Sequence, residues 1–447
     1  MHSHLPPSTM LGMAPSPPPQ LSLAELKALS VLGQGARGVV FHVVPVAAAA
    51  AGECPAPGDP MAMALKAMSR AAARHKGAGP GGGGGGGDDG HRRIWFERDV
   101  LLVLRHPLLP SLRGVVTTDA VVGFAMDRCT GGDLKSLRRR LQGRQAEAEV
   151  FPDSVIRFYA AELVLALEHL HGLGVVYRDL KPENVLIQGS GHIMLVDFDL
   201  STTLPPPPPP PPPDATPPPR RRKNKKKMAM VFGCFAIATR RAASPEPPPS
   251  SQSAPSTSRT ASSASSASSC CSSATPAKSN SFVGTEDYVA PEIVAGSGHD
   301  HAVDWWGLGV VLYELLYGRT PFRGRSRRET FRRVLTAPPE LPGEPSPLRD
   351  LIARLLEKDP ARRLGARGVK RHGFFHGVDW DRVLDVARPP FIPEPDDGDG
   401  DGGTATEANV LDVEKVVHEA FASSAADGEA APEEAGSESD YDFSIFF

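Results

Sequence analysis

Asp179, Lys181 and Asn184 stand close together in the run Tyr177 to Ile187, and each brings a different reactive group. A carboxylate can orient and deprotonate an incoming hydroxyl, an ammonium can steady a departing phosphoryl group, and an amide oxygen can hold magnesium. Phosphoryl transfer asks for that division of labour, because positioning and charge stabilisation do most of the work. Asp197 follows the apolar run Ile193 to Val196 and adds a second hard oxygen ligand suited to magnesium.

Such a constellation needs elements that place a nucleotide against it. Gly33, Gly35 and Gly38, followed by Val40, fit a glycine-rich turn whose backbone N–H groups close over phosphates without Cβ interference. Apolar runs flank it, Leu29 to Leu32 and Val39 to Val44, as in a β-hairpin. Met61 to Met68 reads as a further strand and carries Lys66 between apolar neighbours. A lysine there is either a solvated edge residue or a buried cation, and Glu97, on an amphipathic helix from Ile94 to Leu104, is its natural partner. Val115 to Asp127 offers two more strands. Asp153 or Ser154 would cap a helix running to Leu170, stopped by Gly172 and Gly174. Strand-rich sequence thus precedes Gly131 and helix-rich sequence follows it, an α+β, two-lobed layout.

The 447 residues would allow two or three domains by length, but 46 Pro and 44 Gly point to long unstructured stretches around one core. Ala47 to Pro60 and Gly77 to Gly90 read as loop insertions. Residues 201–278 read as a disordered insertion, with nine consecutive prolines (205–213), the basic run Arg220–Lys227 and a Ser/Ala tract. The basic run admits a nuclear import signal, a patch for anionic membrane lipid, or a solvated loop. A net charge of −3 argues against a nucleic-acid binder dominated by global charge. Five irregularly spaced cysteines fit a reducing compartment. The N-terminus, expected to be disordered to residue 22, shows no secretory h-region, and the apolar run Trp305 to Tyr317 is too short to span a bilayer. The expected location is cytoplasmic, with nuclear and plasma-membrane-peripheral alternatives open.

Two later motifs complete the pattern. Ser281 to Thr285 and Ala290 to Glu292 bracket a segment of the kind that phosphate orders, with Ser281 as the phosphosite and Arg178 as its counter-charge. Asp304 reads as a helix anchor and Arg363 as the partner of Glu292.

On these motifs the chain resembles the AGC group of serine/threonine protein kinases. Asp197-Phe198-Asp199 and the long insertion before the activation segment are similar to the plant-specific subgroup. Within it the sequences around Ser281, Trp305 and Phe391 look like the UNICORN-like kinases, with PINOID and WAG as relatives. The resemblance covers roughly residues 23–200 and 279–397, with a kinase domain over 23–375 (N-lobe to about 130) and a tail over 376–447. It implies ATP and Mg2+ as cofactors and a role in plant growth or auxin-related signalling. Asp133, Glu183 and Glu314 match acids that hold substrate arginines, which would favour basic residues near the target Ser or Thr. Met126 and Cys129 match the adenine-side gatekeeper and hinge. Phe443, Phe446 and Phe447 match a motif that docks on the N-lobe or on the phosphoinositide-dependent upstream kinase. Tyr177, where most kinases carry His, and Asp199, where most carry Gly, are departures that a catalytically silent scaffold would also show. An interaction protein acting through its Pro/Ser-rich insertion is the other alternative.

Overall fold

The computed structural model describes residues 18–35, 38–47, 61–71, 89–142, 151–204, 279, 283–385, 389–391 and 410–426. Ser281, the run Arg220–Lys227, the tail phenylalanines Phe443, Phe446 and Phe447, and the insertion beyond residue 204 lie outside the described residues. Six strands form one sheet: Gln20–Leu21 (β1), Leu26–Gln34 (β2), Gly38–Pro45 (β3), Met63–Ser69 (β4), Leu112–Thr117 (β5) and Val121–Asp127 (β6). Their order is β1-β5-β6-β4-β3-β2, antiparallel throughout except where β1 joins β5. The helix Asp89–Val103 (α1) packs its Ile94, Val100 and Leu101 into the main core. It begins earlier than the apolar spacing predicts, because a helix anchored by buried residues propagates backward at little cost into the preceding polar turn.

The second lobe is helical: Leu134–Gln142 (α2), Asp153–Gly172 (α3), Pro291–Val294 (α4), Ala302–Tyr317 (α5), Arg327–Thr336 (α6), Pro347–Leu355 (α7) and Ala366–Lys370 (α8). Two small ribbons sit among these helices, Val185–Ile187 (β8) on Ile193–Leu195 (β9) and Thr202–Thr203 (β10) on Val175–Val176 (β7). α3 starts after Pro152 with no side-chain cap, so neither Asp153 nor Ser154 has the capping role expected of it. α5 is buried from Val303 to Leu316, as its largely apolar sequence requires, with Asp304 and Glu314 the two carboxylates taken inside. Arg363, as expected, reaches Glu292 with two bonds of 2.6 and 2.9 Å in the interior. No helix among the described residues is long and apolar enough to cross a membrane.

Strand alternation gives the first-lobe sheet two faces. Val39, Phe41, Val43, Met63, Leu65 and Ala67 share one of them and form a second hydrophobic core. The cover for that face comes from the far end of the chain, a helix over Val413–Ala426 (α9). Val413 and Val417 are buried in it, with Val416, Ala420 and Phe421 packed alongside. This spacing is helical, but the acidic, Gly/Ala-rich sequence around it hid the element from composition-based reading. Asp412 begins the helix by accepting the Lys415 N–H at 3.1 Å, and Leu411 N–H donates to Ala28 at 3.0 Å. The Thr118 hydroxyl also bonds the carboxylate of Glu414.

Val417→Asp places a charge in that second core and is expected to cost about 2–4 kcal/mol. Amide exchange in β3 and β4 should accelerate more than in α5, a contrast that mass spectrometry can read.

Candidate active site

Lys66 lies in the middle of β4 on the face opposite Leu65 and Ala67, where Val40 of β3 is its register partner. Its Nζ stands 2.7 Å from Glu97 Oε1 of α1 and 2.7 Å from Asp197 Oδ1. Burial by itself would lower the pKa of this ammonium; the two carboxylates outweigh burial and raise it above the ordinary lysine value. Burial likewise pushes Asp197 upward, but Lys66, then Lys181 and the Asp199 N–H, hold it below the ordinary carboxylate range. The pairing expected of Lys66 with Glu97 is therefore present, and Asp197 makes it a triad.

Among the described residues two that are not glycine adopt the left-handed backbone, Arg178 (φ 69°) and Asp197 (φ 64°). Such conformations cost on the order of 1–3 kcal/mol and persist only where neighbours over-determine them. Arg178 is held by its N–H on Asp304 Oδ1 at 2.7 Å and by its Nε on the Leu200 carbonyl at 2.6 Å. Asp304 also accepts the Tyr177 N–H at 2.9 Å and contacts His171 at 2.8 Å, so it anchors the loop as well as its helix. Tyr177 is fully buried, donates its hydroxyl to the Val196 carbonyl at 2.5 Å and meets Phe198 edge-on. It thereby fixes the backbone just ahead of Asp197. Asp199 is not among the positive-φ residues, so its Cβ carries no backbone penalty here.

Asp179 sits at the centre of a short network. Its Oδ2 accepts from Lys181 Nζ at 2.6 Å and Asn184 Nδ2 at 3.0 Å, and its Oδ1 accepts the Thr285 hydroxyl at 2.9 Å. Lys181 also donates to Thr285 Oγ at 3.1 Å. Thr285 thus ties the activation segment to the catalytic loop, a contact that no spacing in the sequence announces. Asp197 and Asn184 offer one carboxylate and one amide oxygen, a donor set that fits Mg2+ when phosphate oxygens and water complete the shell.

The glycines of the β2–β3 turn separate into two kinds. A Cβ on Gly38 would lie 2.7 Å from the Ala67 carbonyl oxygen, so close packing onto β4 demands glycine there. A Cβ on Gly33 would meet nothing within 4 Å and one on Gly35 only the Gly38 oxygen at 3.9 Å. Nothing among the described residues crowds those two positions, whereas a nucleotide lying under the turn would. Met126 on β6 pairs with Ala64 of β4 and lies beside Lys66 on the same sheet. Cys129 lies just beyond, its sulfur 3.7 Å from that of Met194, and burial pushes its thiol up to about 12.

The three acids assigned to substrate arginine differ in their freedom. Both oxygens of Asp133 accept from Ser136 at 2.8 Å, capping α2. Glu314 is buried, with Arg138 at 3.1 Å and the Tyr288 hydroxyl on its other oxygen. Glu183 is half-exposed and bonded to Lys135. On the activation segment, Ser279 bridges to His299 through paired 2.8 Å backbone bonds, and Arg178 Nη1 lies 3.4 Å from Ser279 Oγ and 3.3 Å from His299 Nε2. Arg178 therefore faces the segment on which Ser281 lies.

A strand lysine clamped by two carboxylates, beside a loop presenting Asp179, Lys181 and Asn184, defines a phosphotransferase site of the protein kinase class. The protein kinase domain family matches residues 26–216 and 266–375, and the chain belongs to that family. It is 50% identical over 403 residues to the serine/threonine-protein kinase OXI1 of Arabidopsis thaliana, covering 90% of this chain and 86% of that protein. It is 41% identical over 393 residues to UCNL (86% and 87%) and 40% identical over 402 residues to UCN (88% and 90%), both serine/threonine-protein kinases of the same plant. The chain is an ATP-dependent serine/threonine protein kinase of the plant AGC group. The UNICORN likeness holds, and the likeness to OXI1 exceeds it.

The glycine contrast gives a test. Gly33→Ala should leave the melting temperature within about 1–2 °C of wild type, since surface changes stay near ±0.5 kcal/mol, while raising KM for ATP. Gly38→Ala should lower the melting temperature clearly, because its Cβ collides with backbone.

Proposed function

We propose that this kinase transfers the γ-phosphoryl group of ATP to protein serine and threonine hydroxyls with the following roles. Asp179 orients the hydroxyl and takes its proton, and Lys181 steadies the phosphoryl oxygens in flight. Lys66, held by Glu97, contacts the α- and β-phosphates. Gly33, Gly35 and Gly38 form the cover, Val40, Met126 and Cys129 border the adenine, and Asn184 and Asp197 hold Mg2+. The metal, when bound, neutralises charge that develops between the β- and γ-phosphates. The observation that carries this reading is that Asp179 shares one network with Lys181, Asn184 and Thr285.

Residues 23–375 are read as the catalytic domain and 376–447 as its tail. Substrates with basic residues near the acceptor are proposed from the acids at the groove, with Glu183 the one that has an oxygen without a hydrogen bond; Asp133 and Glu314 have both oxygens engaged within the fold. Composition supports anionic lipid as a ligand of Arg220–Lys227. The resemblance of Phe443, Phe446 and Phe447 to the group's hydrophobic motif supports docking on the phosphoinositide-dependent upstream kinase, with Ser281 as the activation-segment phosphosite. The resemblance to the plant subgroup supports a place in growth or auxin-related signalling, from the cytoplasm, nucleus or plasma-membrane surface.

The test is phosphate transfer from Mg·ATP to myelin basic protein and to an arginine-rich serine peptide. Wild type should turn over at about 1–100 s⁻¹ after treatment with an upstream kinase. Asp179→Asn should fall about 10²–10⁴-fold, and Asp197→Ala or chelation with EDTA should abolish transfer. No transfer by treated wild type would defeat this reading.

A further inference from the structure

Glu183 lies between Lys181 and Asn184, so whatever binds its carboxylate lies beside the phosphoacceptor. Among the described residues Lys135 of α2 is the cation paired with Glu183, and the two side chains keep 29% and 35% of their exposure, enough for an incoming peptide to reach them. The bond is one-sided: Lys135 satisfies Oε1, while Oε2 is covered from solvent and accepts no hydrogen bond among the described residues, an unmet acceptor for any donor that replaces Lys135. The neighbouring acids are bound differently. Glu314 is buried between the guanidinium of Arg138 and the Tyr288 hydroxyl, and Asp133 spends both oxygens on its own helix. Of the three carboxylates, Glu183 alone has an exchangeable partner.

An ammonium on a flexible stem is a strongly hydrated point charge, and part-exposed ion pairs of this kind are weak. A guanidinium presents two parallel N–H groups and can satisfy both carboxylate oxygens at once. We infer that Lys135 is a specificity-determining residue: it occupies, from within the chain, the carboxylate at which a substrate's basic residue docks. A substrate arginine must displace it, so discrimination for arginine over a neutral residue is blunted, and substrates lacking that arginine meet a groove already neutralised. This rests on the phosphotransfer reading above and extends it to the substrate class: sites in which a basic residue is helpful but not required.

The test is an arginine scan, one Arg placed in turn at each of the six positions before Ser in an otherwise neutral peptide, with kcat/KM compared to the Ala-matched peptide. At the most responsive position Lys135→Ala should raise the Arg/Ala ratio about three- to tenfold over wild type, mainly through KM. Lys135→Met, which keeps the aliphatic stem, should do the same, while Lys135→Arg should hold the ratio at or below the wild-type value. With Glu183→Gln the ratio should be low and indifferent to residue 135. An equal ratio in wild type, Lys135→Ala and Lys135→Met overturns the inference, as does an increase that survives Glu183→Gln. Failure of the wild type to phosphorylate myelin basic protein or any peptide instead overturns the phosphotransfer reading beneath it.

Discussion

A buried ammonium between two carboxylates is the interaction on which this fold's chemistry depends. Lys66 belongs to a strand of the first lobe, Glu97 to the helix behind it, and Asp197 to a loop of the second lobe. Burying a lysine with no partner would cost several kcal/mol and drive it neutral. With both acids in place the charge is kept, so each acid's position is a condition of the other's. Displacement of α1 would remove Glu97 and leave Lys66 with one partner; rotation of Asp197 would do the same from the other side. The left-handed backbone at Asp197 is sustained by this arrangement and by the burial of Phe198 against Tyr177.

The second lobe repeats the principle with reversed sign. Asp304 is a buried carboxylate satisfied by the Tyr177 and Arg178 N–H groups and by His171, and it holds the catalytic loop in a conformation the chain would otherwise avoid. Glu292 and Arg363 are also fully paired in the interior. Removing one member of such a pair leaves an uncompensated buried charge, which makes these sites rigid. Glu183 and Lys135 lie at the opposite extreme, part-exposed and singly bonded. One lobe thus holds acids that fix geometry and one acid that can change partner, and burial separates the two.

The chemistry was legible in the sequence because Asp179, Lys181 and Asn184 belong to one short loop whose spacing survives folding. Lys66 with Glu97 and Arg363 with Glu292 were legible because a charged residue amid apolar neighbours demands a partner, and few candidates existed. The strands and helices were legible in kind but displaced at their ends, where anchoring by buried residues moves boundaries that local pattern cannot set. What stayed hidden was non-local. Lys135 meets Glu183 across 48 residues, Thr285 meets Asp179 across 106, and Glu414 meets Thr118 across 296. No periodicity encodes such encounters. The difference between Gly33 and Gly38 was hidden as well, since both satisfy one motif while only Gly38 is crowded by backbone.

The tail helix shows why the first lobe cannot be understood from its own residues. An antiparallel sheet with two apolar faces needs a layer on each. α1 and the second lobe cover one face; Val413 and Val417 of α9 cover the other, against residues that alternate with Lys66 along β4. Leu65 and Ala67 are therefore fixed from outside the sheet while Lys66 is fixed from within the cleft, and the same short strand transmits both. Because Leu411 also bonds Ala28 of β2, the tail grips the strand that leads into the glycine turn. Loss of the helix would expose an apolar face more than three hundred residues away in sequence and loosen the two strands that position the nucleotide. The tail is thus a structural layer of the catalytic lobe, not an appendage to it.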